Sequence, residues 1–355
     1  ATKAKYAQSA DAPGAAPPHV KPGDSAVEVK LARQTSPKTV ASPKATKKAD
    51  GEASASAVVG GSWSRPKGPS PDDDNVIEEW KASGKLILLE GVMCSVPYKV
   101  MCVPAEGAEG EMKAKAQAVL DAVAHIALSV FSHFEADSEA SAINALPLGQ
   151  VRALSPEMRE VLGHAAMMNR MTRGVFDPAI LPLYRHFKEH GLEEHDEALE
   201  IAKYSRFSMF KVTDAGIERL HEKAKVDVTG LAKGWAIDEI ARRLVEAGCT
   251  STYVDWGSDI KVTGRHPTGR NWTVAILEPP PIEGIGKPLP PDGEKSYLAH
   301  IELRDGQAIC TSGDYQQQLT DGVSHIIDGQ KGCPIEITGD STASVTTVCN
   351  SCMLA

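Results

Sequence analysis

Aromatic residues are scarce in this 355-residue chain, at 5%, although apolar residues reach 42% and suffice for a real core. No apolar run approaches the 18 or so residues that a membrane span needs, so no membrane-crossing segment is expected. No signal-peptide apolar core is visible either. The seven cysteines (Cys94, Cys102, Cys249, Cys310, Cys333, Cys349, Cys352) are scattered and odd in number, which argues against a disulfide framework. They favour an intracellular, reducing compartment, a mitochondrion or other organelle included. A net charge of −9 argues against a nucleic-acid partner. Neither G-x-G-x-x-G nor G-x-x-x-x-G-K-[ST] occurs, so the two common nucleotide fingerprints are absent and a Rossmann-type NAD-linked dehydrogenase is disfavoured.

What is present is unevenly placed. Residues 1–70 carry 11 Lys+Arg against 5 Asp+Glu, and the remainder 27 against 42. Residues 1–75, rich in Ala, Ser, Pro and Lys, have too few large apolar groups to offset their ordering entropy, and a disordered tail or linker is expected. A basic, Ser-rich leader is also the composition of a transit sequence, but its five acidic residues fit a plain linker better. Order is expected from residue 76 to 355 as one α+β domain.

"KLILLEG" and "PYKVMCV" read as a strand pair. Apolar residues at Val119, Leu120, Val123, Ile126, Ala127, Val130 and Phe131 predict a helix over 111–134. Ser155 and Pro156 mark a helix start running to about Thr172 before Gly174. "FSMFKVTDAGIERL" predicts a hairpin turning at 214–216. A helix after Lys233 places Ala236, Ile237, Ile240, Ala241, Leu244 and Val245 on one side and stops at Gly248. Short β-rich runs follow, interrupted by the proline-rich surface loop "EPPPIEGIGKPLPPDGEK".

Four polar clusters invite chemistry. "VDVTGLAKGWAID" (226–238) puts Asp227, Thr229, Gly230, Lys233 and Gly234 where a buried strand meets an amphipathic helix. Two readings stand there: Thr229 as an ordinary N-cap, or an anion cradle of helix N–H groups and Lys233 charge. "VDWGSDI" carries Asp255 and Asp259 around a glycine, and turn acids are usually solvated. "CTSGDY" (Thr311, Ser312, Gly313, Asp314) suits an anion-binding turn and an ordinary turn equally. "SHIID" sets His325 and Asp328 on a predicted strand, facing opposite ways if it is regular. A strand histidine is commonly structural, yet imidazole is the side chain best poised to move protons near neutral pH. "CNSC" lacks the second pair that a structural zinc site requires, so two ordinary thiols are expected.

Taken together, seven collinear blocks resemble the FAD:protein FMN transferase (ApbE) family. They are "HFEADSEASAIN" (133–144), "GVFDPAILPL" (174–183), "VDVTGLAKGWAID", "VDWGSDIKVTG" (254–264), "CTSGDY", "SHIIDGQKGCPI" (324–335) and "SVTTVCNSCMLA" (344–355). "LPLGQ" and "VDWGSDI" resemble the eukaryotic form of the domain that precedes fumarate-reductase-type flavoproteins. The resemblance implies a single T-fold-like α+β domain with mixed sheets and packed helices. It also implies transfer of the FMN half of FAD to a Thr or Ser hydroxyl of an acceptor protein, with Mg²⁺ and release of AMP.

By matching position, the resemblance assigns Met93, Phe134, Val175, Phe176, Asp177 and Asp227 to the flavin nucleotide, with Lys233 and residues 311–314 beside it. The carbonyl of Gly230 is implied as a metal ligand and His325 as general base. Two departures stand out: Gly329 follows Asp328 where the family usually has Pro, and the family's metal-holding Asp and Thr fall beyond Ala355. On that count the sequence as given is expected to bind FAD with weak metal affinity and poor transfer. A non-catalytic FAD-binding module and an FAD pyrophosphatase are the alternatives.

Overall fold

The computed structural model describes the backbone of residues 27–32 and of 71–355 apart from 282–283, 286–294, 316, 321–322 and 339, with side chains from residue 77 onward except Thr320. Its centre is a seven-stranded sheet in the order Val27–Ala32, Thr342–Cys349, Ala308–Gly313, Asp259–Thr263, Cys249–Trp256, Val96–Pro104, Ile87–Met93. Every neighbouring pair runs antiparallel. The expected "KLILLEG"/"PYKVMCV" pair is its far edge.

The two-residue period of a strand splits the apolar residues between two cores. Val100 and Cys102 face one side with Val254 and Ala308, while Met101 faces the other with Val262 and Ile309. The second face is covered by the Trp272–Leu277 and Tyr297–Leu303 ribbon, which contributes Trp272 and Leu303.

The first face is covered by the helix Thr229–Glu246, whose Ala236, Ile237, Ile240, Ala241 and Leu244 are all buried. Burying one such aliphatic side chain is worth about 1.5–3 kcal/mol, so this apolar stripe orients the helix. Val245, expected on the same face, is 45% exposed instead. The helix ends before Gly248, whose φ of +107° suits glycine. Behind it pack Glu109–Ile126, extended by a π-helical turn at Ala127–Phe131, and Pro156–Met171. Phe131 meets Trp235 edge-on at 5.1 Å, and Trp235 Nε1 donates to Glu160.

Several expectations are met at the residue level. Ser155 Oγ caps Met158 N at 3.1 Å, and Phe210–Thr213 pairs with Gly216–Arg219 around the expected turn. Others are corrected. Val27–Ala32 is an edge strand inside the stretch read as a disordered tail, and a helix at Pro71–Ala82 begins before residue 76. The rest of residues 1–70, and much of the proline-rich loop, lies outside the described residues. Glu109–Phe131 is long and apolar enough to cross a membrane by length and composition, although no such segment was expected. Here its Met112, Ala116, Leu120, Val123 and Phe131 are core residues. The helices Leu181–His190 and His195–Tyr204 were not anticipated; they form a satellite core through Leu183, Phe187, Ala198 and Ile201.

Candidate functional site

The joint at 226–240 is not a strand running into a helix. Residues 224–228 belong to no sheet, and Val228, at φ −104° and ψ 5°, is not extended. Buried Asn144 substitutes for a neighbouring strand: its Oδ1 accepts from Val226 N at 2.7 Å and its Nδ2 donates to Val226 O at 2.9 Å. Asp227 N then donates to Pro178 O at 2.6 Å. The backbone is thereby held so that Asp227 stands two residues before the helix start at Thr229.

Thr229 is the first helical residue rather than the N-cap, which is Val228, and the Asp227 carboxylate reaches past Val228 to Thr229. Asp227 Oδ1 accepts from Thr229 N at 2.9 Å and from Thr229 Oγ1 at 2.6 Å. Burial pushes this carboxyl upward, but His133 and the two Thr229 donors outweigh it and hold the group below the usual carboxylate range. His133 Nδ1 lies 3.5 Å from Oδ1, and the ring of exposed Phe134 lies against His133 with centroids 4.0 Å apart. Thr229 and Gly230 are exposed, and a Cβ at Gly230 would meet only the Phe176 ring, at 3.7 Å. The exposed helix start, with Thr229 N held by Asp227 and Leu231 N by Val228 O, thus lies beside a carboxylate and two aromatic rings, the positive end of its dipole toward solvent.

Lys233 does not stand free. Its Nζ is 2.6 Å from Asp259 Oδ2, on the strand after the 256–259 turn. Gly257, at φ +60°, is required there because a Cβ would sit 2.6 Å from Val96 Cγ1. So the "VDWGSDI" acids are not merely solvated: Asp259 holds the lysine, while Asp255 Oδ1 caps Ser258 N at 3.0 Å and burial raises its carboxyl.

The loop 174–177 forms a second wall. Asp177 is spent on structure: Oδ1 accepts from Ala179 N, and Oδ2 from Phe207 N and the Asn169 amide. Burial raises its carboxyl despite those donors. Val175 is 46% exposed, whereas Met93 is buried in the core with its carbonyl accepting from Trp256 Nε1. Gly329 N donates to Val175 O, and a Cβ at Gly329 would lie 2.5 Å from Gly174 O. This close approach gives the unusual Asp328-Gly329 pair a local reason.

His325 sits in a bend between the short strands Val323–Ser324 and Ile327–Asp328, which corrects the single regular strand expected. Its Nδ1 contacts Gln317 O at 2.9 Å. A carbonyl only accepts, so Nδ1 carries the proton and Nε2 is left as the basic nitrogen. Residues 311–313 are likewise strand rather than turn, with Thr311 opposite Thr346 and their hydroxyls 2.9 Å apart. Ser312 is exposed, and Asp314 is buried with its N–H on Ala343 O. The loop 174–177 is linked on one side to the segment after His325, through Gly329 N on Val175 O, and on the other lies beside the helix start, where a Cβ at Gly230 would meet the Phe176 ring. Thr311 N donates at 3.4 Å to Asp259, the carboxylate that holds Lys233, while Met93 lies in the core.

The "CNSC" block closes the site helix from the other side. Asp238 accepts from Ser351 Oγ, Cys352 N and Met353 N at 2.8–3.1 Å. Gly234 is obligatory there, because a Cβ would lie 2.5 Å from Cys352 O. Cys352 Sγ meets Cys310 Sγ at 3.2 Å, so the thiol partner of Cys352 is not Cys349.

Residues 91–355 match the ApbE family. The chain belongs to that family. It is similar to a curated FAD:protein FMN transferase from Chlamydia pneumoniae, 27% identical over 282 residues covering 77% of this chain and 83% of the relative. A second, from Vibrio cholerae, is 30% identical over 234 residues, covering 63% and 65%. The solved flavin transferase ApbE from Vibrio cholerae superposes with a TM-score of 0.64 at 26% identity, covering 76% of this chain and 84% of that one. The ApbE fold expected from the seven blocks is thus the fold observed. Reading the sequence alone missed His133 and Asn144, which bracket the "HFEADSEASAIN" block, and Asp238. Their partners lie some 80 to 115 positions away (82 for Asn144 to Val226, 115 for Asp238 to Met353).

Proposed function

We propose that this chain transfers the FMN moiety of FAD to a Thr or Ser hydroxyl of a target protein and releases AMP, with Mg²⁺ at the diphosphate. One observation carries the reading: an ionised carboxylate, an open glycine at a helix start and an exposed aromatic ring converge at Asp227, Gly230 and Phe134. Relatives that share the fold over most of its length are named FAD:protein FMN transferases.

The helix start and its dipole receive the negatively charged diphosphate, and Phe134 offers a face for a planar ring. Asp227 orients polar groups of the nucleotide and keeps its charge at neutral pH. His325 Nε2 takes the proton from the acceptor hydroxyl, with the ring oriented by Gln317. The hydroxyl oxygen bonds to the phosphorus of the FMN half as the P–O bond to AMP breaks, and AMP leaves with the electron pair. An oxygen donor set suits Mg²⁺: Asp227 Oδ2 makes no hydrogen bond among the described residues, and Gly230 is unobstructed. The Gly230 carbonyl would hold the ion, which offsets charge on the two phosphates.

The test is to incubate the full chain with FAD, Mg²⁺ and a threonine-bearing acceptor protein. An FMN mass adduct on that threonine with equimolar AMP is the expected result. Free FMN without adduct would replace the reading with an FAD pyrophosphatase. Tight FAD binding without AMP would replace it with a non-catalytic flavin-binding module.

A further inference from the structure

We propose that the hairpin of helices Leu181–His190 and His195–Tyr204 holds a transition-metal ion of the Zn²⁺ class through His186, His190 and Glu194. His186 and His190 are four residues apart on one helix and therefore share a face. Their rings are 5.0 Å apart, centroid to centroid, and tilted by 33°. Glu194 caps the second helix, and its Oε2 returns to within 3.3 Å of His190 Nδ1. Candidate ligand atoms of all three residues lie within 4.8 Å of one another. Tetrahedral ligands about 2.0–2.1 Å from zinc lie roughly 3.3 Å apart, so modest side-chain rotation closes the site.

An independent observation points to a ligand. His186 is 6% exposed, and its Nε2 is buried without a hydrogen-bond partner. A buried imidazole nitrogen left bare is destabilising, and a metal ion is one of the few partners that satisfies it. Two imidazoles and a carboxylate suit zinc or cobalt, whereas Mg²⁺ prefers oxygen donors throughout. Glu189, 3.8 Å from His190 Nε2, adds negative charge nearby. The site is separate from Asp227 and Gly230 and stands whether or not the transfer reading holds.

The full chain, stripped with a chelator and kept in saturating Mg²⁺, is titrated with Zn²⁺ by calorimetry and with Co²⁺ by visible absorption. One saturable ion per chain is expected at this hairpin. His190→Ala, which alters a half-exposed side chain, is expected to weaken Zn²⁺ binding by roughly tenfold or more, and Glu194→Gln to weaken it less. Far-UV circular dichroism confirms that both variants remain folded. Absence of saturable Zn²⁺ binding in the parent chain would overturn the proposal. So would an affinity unchanged in both variants, which would move the ion to another cluster such as His133 and Asp227.

Discussion

At the scale of single residues, the site depends on positions where one atom more or less has a large effect. Gly234→Ala pushes a Cβ against the backbone of Cys352 and Met353. Because backbone on both sides must give, a loss of about 1–3 kcal/mol is expected in urea unfolding. His325→Ala removes the proposed base without touching the helix start. FAD affinity is expected to hold while transfer falls by about 10²–10⁴-fold; equal loss of both in single-turnover assays would assign His325 to binding instead. The sequence made the glycines and His325 legible as unusual, and the family resemblance attached a role to the histidine. It did not disclose that Asp177 spends its oxygens on Ala179, Phe207 and Asn169, because those donors come from other segments.

At the scale of elements, the decisive joints are between a helix and what crosses it. Asp238 ties residues 351–353 to the site helix through three donors, and Lys261 bridges the same carboxylate and Asn350 O. Asp238→Ala leaves two backbone N–H groups without their acceptor, and a loss of roughly 1–3 kcal/mol is expected. Hydrogen exchange should show protection lost at Cys352 and Met353 and kept along Thr342–Cys349. Loss spread evenly over that strand would show that the tie supports the whole sheet edge. Helix signals with local causes were readable: Ser155 before Pro156, and the apolar spacing from Ala236 to Leu244. The segment at 226–228, which belongs to no sheet, was misread as a strand. Its apolar pattern is that of a strand, while its hydrogen bonds come from an asparagine side chain 82 positions earlier.

At the scale of the molecule, pH dependence follows from carboxylates pulled in opposite directions. Asp227 and Glu239 are held low, Asp227 by His133 and Thr229 against burial and Glu239 chiefly by Arg242. Their stabilisation is full above the unfolded carboxylate range and is lost as pH falls through their lowered folded values. Asp177 and Asp255 are raised by burial, so their ionisation opposes folding as pH rises through the same region. Asp227→Asn is therefore expected to lower stability at neutral pH and to flatten its fall below about pH 4 in urea melts. An unaltered slope would mean that Asp227 is unperturbed in the fold. The amino-acid order alone determined the α+β class, the strand pair at the sheet edge, the capped helices and the seven blocks that mark the family. Those features arise from periodicity, capping and turn chemistry, which act over a few neighbouring residues. Only the tertiary structure decided that Asn144 clamps Val226, that Asp259 holds Lys233, and that residues 27–32 join the sheet. Each depends on which distant segments meet, and that is set by how two apolar faces of one sheet are covered.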